Sequence, residues 1–255
     1  MRQLAPCARR RATLAARKLL QRVRSTPHFL DLGDLAAAEV VKDAATGIRL
    51  PAPECHPALH AAEVPPRGMG VVVSEAVRAG EEIFCVPEAK LLSIHTALRS
   101  QTFGLLAGRL LRGGLHVEAV TMLFAISEHR RCSRPPIVHS TWKAVLERAP
   151  KLTEDLLPLT WPAEAVEALG EEISKLVKEA LLSLWSLSRE VSSLLQSLPD
   201  EAVSSLRGPV SFDDLLWARC LFDSRAVSVE IKVDGGPNIP GVQLPSRVVC
   251  LAPEV

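Results

Sequence analysis

Two short runs carry residue types from which a site could be built. Arg67-Gly68-Met69-Gly70 sets two glycines one residue apart at the head of a β-branched stretch. A strand end without Cβ atoms lets a ligand come close to the backbone. Gly-x-Gly also occurs in ordinary tight turns, so the spacing alone does not choose between the two. Asp223-Ser224-Arg225 closes a helical pattern with a cation that could hold a carboxylate or orient backbone carbonyls. Taken by itself, Arg225 would serve equally in an ion pair with Asp223 or against the negative end of its own helix.

Other chemistries find less support. The six cysteines, Cys7, Cys55, Cys85, Cys132, Cys220 and Cys250, are dispersed without a C-x-x-C pair, so reduced and mostly buried thiols are expected. Cys55, His56 and His60 lie close together, but the prolines around them oppose the helical i, i+4 geometry of a metal site and no second ligand pair follows, so a structural role is expected. Tyrosine is absent from the whole sequence, which removes it from any catalytic scheme.

The elements that would position these residues fall into a short β region, a long helical region and a second β region. Residues 69–73 and 82–86 read as two strands joined through Val77-Arg78-Ala79-Gly80. Helical periodicity follows over 105–111 and 118–129, and again over 142–146 after the Pro135-Pro136 break. The longest helical signal spans 162–198, with Ala165, Leu169, Ile173, Leu176, Val177, Ala180, Leu184, Leu187, Val191 and Leu194 at spacings of three and four. That stripe reads as a core face, and Gly170 and the serine-rich 186–197 stretch are expected to break or bend the helix. A last helix starts at an N-cap Ser211, with Asp213 and Asp214 in its first turn. Strand-like runs at 227–233 and 247–251 flank a turn-forming Asp234-Gly235-Gly236-Pro237 segment.

Upstream, five prolines between Pro51 and Pro66 predict a connector. The first 25 residues hold many arginines and no acid, a composition shared by organellar transit peptides, basic amphipathic helices and nuclear-targeting clusters. Cytoplasm or nucleus is therefore expected, with mitochondrion or plastid as the alternative. At 255 residues and 47% hydrophobic the chain can bury a sizeable core. A net charge of +1 gives no global field for nucleic acid, and no apolar run approaches the roughly 18 to 20 residues of a membrane span.

Read together, these segments resemble a known family. The run Arg67-Gly68-Met69-Gly70, then Val77-x-Ala79-Gly80-Glu81-Glu82-Ile83, then Val86-Pro87, resembles the start of a SET domain. Trp142-Lys143-x-x-Leu146 with Pro150 and Leu159-Thr160-Trp161 is similar to the tryptophan-rich start of the helical insert in the plant Rubisco-methyltransferase-like branch of SET-domain protein-lysine methyltransferases. Phe212-Asp213-Asp214-Leu215-Leu216-Trp217-Ala218, leading to Asp223-Ser224-Arg225-Ala226-Val227, is similar to the same branch. The three blocks cover about residues 66–255 in order.

The resemblance implies an α+β fold with small SET-type β-sheets and a large helical insert. Its boundaries would be a basic segment at 1–30, a helix and connector at 31–66, the N-terminal part of the SET domain at 67–98, the insert at 99–210, and the start of the C-terminal part at 211–255. It implies methyl transfer from S-adenosylmethionine to a lysine of a histone or non-histone protein substrate, without nucleic acid or membrane. By position, Arg67, Gly68, Met69 and Gly70 would line the cofactor pocket and Arg225 the substrate side. The branch also has an Asn-His motif after a strand end like Leu251-Ala252-Pro253 and a later channel tyrosine. Neither occurs in this sequence, so the chain is expected to be truncated, with no catalytic residue of its own and little activity. The alternative is a non-catalytic, SET-derived interaction or regulatory protein.

Overall fold

The computed structural model describes residues 54–64, 68–135, 140–147, 157–230 and 247–251, together with positions 152, 240, 242, 244 and 245. Among them, six short strands form three separate two-stranded antiparallel sheets around a larger set of helices. The class is α+β, mostly helical.

The first β region differs from its sequence reading in an instructive way. Strand β1 (Glu54–Cys55) and strand β2 (Leu59–Val64) arise inside the proline-rich stretch. Strands β3 (Gly68–Val73) and β4 (Phe84–Cys85) match the two expected strands, but they do not pair with each other. Instead β2 and β3 form a ladder running from Leu59 opposite Val73 to Val64 opposite Gly68, while β1 takes β4. The prolines do exclude helix. They also hold their neighbours extended, and Pro57 and Pro65 bracket the run Leu59–Val64 without interrupting it, so the extended backbone is free to become a strand.

Helix α1 (Ile94–Arg99) opens on a capping box, in which Ser93 and Thr96 each accept from the other's amide. Helices α2 (Gly104–Arg112) and α3 (Val117–Ser133) follow, then α4 (Lys143–Glu147). Helix α3 is buried on most of its faces, which explains its lack of a clean amphipathic stripe. Around it Phe103 and Phe124 pack with centroids 5.2 Å apart, and Phe124 meets Trp142 edge-on at 5.4 Å. The Trp142 indole donates to the Lys90 carbonyl at 2.7 Å, fastening α4 to the segment before α1.

The long helical signal resolves into α5 (Ala163–Glu167) and α6 (Glu171–Gln196). Gly170 breaks it, with φ at 99°, a conformation that costs a residue with a Cβ. The serines do not break it. They turn inward on their own backbone, as Ser192 Oγ does to the Ser188 carbonyl, and the helix continues. Val177, Leu184 and Val191 are buried at intervals of one heptad, yet Ile173 and Leu176 on the same stripe stay exposed because cover is sparse over the first two turns. The stripe is a core face only from Val177 onward.

Helix α7 (Asp200–Val203) leads through a 3₁₀ turn to helix α8 (Phe212–Arg225). Ser211 caps α8 as expected, in a capping box with Asp214. Strands β5 (Val227–Glu230) and β6 (Arg247–Cys250) then form the third sheet. Immediately after β6, Leu251 joins Leu92 in an isolated antiparallel bridge, with N–H to carbonyl distances of 2.8 and 3.0 Å in the two directions. Both leucines are fully buried.

Candidate functional site

Arg67 lies outside the described residues. Gly68, Met69 and Gly70 form the first half of β3, paired on one side with Val64, Glu63 and Ala62. Among the described residues no strand takes the opposite edge of β3, so its backbone donors and acceptors there are available for a ligand. A strand edge with two glycines fits the close approach that an extended cofactor such as S-adenosylmethionine needs.

Arg225 is the last residue of α8, half-buried, one residue before β5. Asp223, its expected alternative partner, is engaged by Arg219 one helical turn earlier at 2.9 Å. Gly68–Gly70 and Arg225 sit on, or next to, different two-stranded sheets, so the β ladders do not bring the two halves of the expected site together.

What fixes Arg225 in space is the anchoring of α8, and the sequence gave no warning of it. Arg130 on α3 is almost fully buried and spreads its guanidinium over the turn that precedes α8. Nη1 donates to the carbonyls of Leu206 and Gly208 at 2.7 and 3.0 Å, and Nη2 donates to the Pro209 carbonyl at 2.7 Å and to Asp214 Oδ2 at 2.8 Å. The same carboxylate accepts from the Ser211 amide and hydroxyl. Burial pushes the Asp214 carboxyl upward, but Ser211 and Arg130 outweigh it and hold it below the ordinary aspartate value. His129, next on α3, stacks on Trp217 of α8 at 4.5 Å. A second buried network sits behind this one. Glu128 accepts from Arg131 at 2.6 Å and from the Ser140 hydroxyl at 2.7 Å, tying the start of the α4 region to α3.

The remaining candidates have other occupations. His56 accepts from the Ala58 amide and meets Glu81 at 2.9 Å. Among the described residues no group of three or more His, Cys, Asp or Glu could hold a metal, and no helix is long and apolar enough to cross a membrane. An open groove of about 420 Å³ runs between the end of α6, α7 and residues 208–210, lined by Ser192, Gln196, Asp200 and Val210 among others. None of the sequence-derived site residues lines it.

The chain is 29% identical over 168 residues to SET domain-containing protein 4 of Homo sapiens. That similarity supports a SET-domain protein. It covers 64% of this chain and 35% of the human protein, so the matched region spans about a third of that relative. At family level it supports a methyltransferase assignment, and SET-domain methyltransferases generally use S-adenosylmethionine and act on protein substrates. The plant Rubisco-methyltransferase-like branch draws no support from it. No protein-family model matches the chain.

Proposed function

We propose that this chain carries the cofactor strand and helical insert of an S-adenosylmethionine-dependent protein-lysine N-methyltransferase of the Rubisco-methyltransferase-like kind. The observation that supports the reading best is the bridge between Leu92 and Leu251. It joins backbone from either side of the helical region, as expected of a β fold split by a helical insert.

In this reading Arg67, Gly68, Met69 and Gly70 hold the cofactor along the open edge of β3, and Arg225 faces the protein substrate. The cofactor supplies an activated methyl group when bound. The chain's own residues position that group and the incoming amine for in-line displacement, and binding geometry supplies most of the effect. With no tyrosine and no Asn-His dipeptide in the sequence, little or no methyl transfer is expected from the 255-residue chain alone. The same absence favours a second reading, in which the chain is a SET-derived interaction or regulatory protein.

Thermal denaturation with and without S-adenosylmethionine separates the two. Binding to the folded state alone would stabilise it by about 2.7 kcal/mol at a hundredfold excess over Kd, and Gly70→Val should abolish that shift. A chain that melts at the same temperature with saturating cofactor would overturn the methyltransferase reading in favour of the interaction protein. Turnover comparable to a complete methyltransferase would overturn the expectation of low activity.

A further inference from the structure

The Leu92–Leu251 bridge has an unusual neighbour. His95, in the first turn of α1, is 1% exposed, and neither ring nitrogen has a hydrogen-bond partner. A neutral imidazole carries one donor and one acceptor, so both are buried without compensation. Protonation would add a second orphaned donor and a full charge.

The groups around His95 offer no counter-charge. Glu88, in the 3₁₀ turn before α1, is the carboxylate that favours the imidazolium, but it is paired with Arg99 at 3.1 Å, and Arg99 opposes the imidazolium. Lys90 shares that turn. Helix α2 brings the cations Arg109 and Arg112. On α3, Glu118 lies in the first turn, Glu128 is committed to Arg131 and Ser140, and Arg130 to Asp214. On β6, Arg247 is exposed and bonds the Ser228 hydroxyl. Burial is accordingly the main influence on the ring and pushes its pKa below the ordinary histidine value.

We propose that His95 is an acid-sensitive latch: its protonation releases the Leu92–Leu251 bridge and lets the β5–β6 hairpin lift from the helical region. The sign follows from linkage. A histidine whose folded pKa is lowered binds fewer protons folded than released, so the latch holds above the free-imidazole value near ~6.5 and weakens as pH falls below it. Opening should rise by up to about tenfold per pH unit in that window.

Cys250 reports the opening directly, because it is fully buried and adjoins Leu251. Labelling of the full chain with dithiodipyridine, which reacts at acidic pH, is followed at pH 7.5 and pH 5. Cys250 should become at least about tenfold more reactive at pH 5, as linkage to one proton requires, while Cys132 on α3 stays protected. In His95→Phe, which keeps the ring and removes the proton site, Cys250 should stay protected at both pH values. Equal protection of Cys250 at both pH values in the unmodified chain would overturn the proposal, as would simultaneous exposure of Cys132. If His95→Phe fails to fold, NMR titration of His95 in the unmodified chain decides. An ordinary histidine midpoint refutes the latch, and a depressed one supports it.

Discussion

Replacing Arg130 with methionine would test the anchoring of α8. Methionine keeps an unbranched chain of similar reach but removes the guanidinium, leaving the carbonyls of Leu206, Gly208 and Pro209 without their donor and Asp214 without its cation. Each hydrogen bond to a charged group contributes about 1.5–3 kcal/mol, but four bonds from one fork are not additive. Removing one partner of a buried ion pair costs about 3–5 kcal/mol, and that range is the expected loss. Since whole domains are stable by only about 5–15 kcal/mol, Arg130→Met is expected to be close to unfolded. Arg130→Lys keeps the charge without the fork and should lose about 1–3 kcal/mol. Asp214→Asn should be milder than Arg130→Met, because Arg130 retains its three carbonyls. Denaturant unfolding followed by tryptophan fluorescence measures all three, and Trp217 on α8 places one probe beside the anchor. A loss below about 1 kcal/mol for Arg130→Met would refute the claim that this fork holds α8, and with it the claim that α3 sets the position of Arg225.

Two further outcomes follow from local geometry. Gly170→Ala should destabilise the chain by about 1 kcal/mol or more through backbone conformation alone, because φ is 99° and nothing lies within 4 Å of the added carbon; an unchanged melting temperature would mean that the α5–α6 break does not need this conformation. At pH 8 iodoacetamide should modify exposed Cys85 first among the described cysteines. Burial pushes the Cys220 and Cys250 thiols up to about 11, and peptide mapping that found either modified as fast as Cys85 would contradict their burial.

Much of the helical region was legible because its signals are local. Ser211 and Asp214 announce the start of α8 by their spacing, and Gly170 marks the break before α6. Pairing was not legible. Leu59–Val64 reads as part of a connector when its prolines are weighed alone, and only the ladder with β3 reveals it as a strand. The exposure of Ile173 and Leu176 shows the same limit, since periodicity states which face is apolar and not how far it is covered. The two glycines and Arg225 were visible as candidates from residue type and spacing. Arg130 and His95 were not, because a buried arginine or histidine inside an apolar helix has no signature in sequence until its surroundings are known.

The bridge also sets an order of events during folding. Leu92 and Leu251 stand about 160 residues apart in the chain, and closing so long a loop before anything inside it has condensed carries a large entropic cost. The helices between them make contacts over shorter separations and can form first, drawing the two leucines together as they pack. The carboxyl-terminal hairpin would then be the last element to dock and the first to leave. Unfolding rates should therefore respond to Leu251→Ala more strongly than folding rates do.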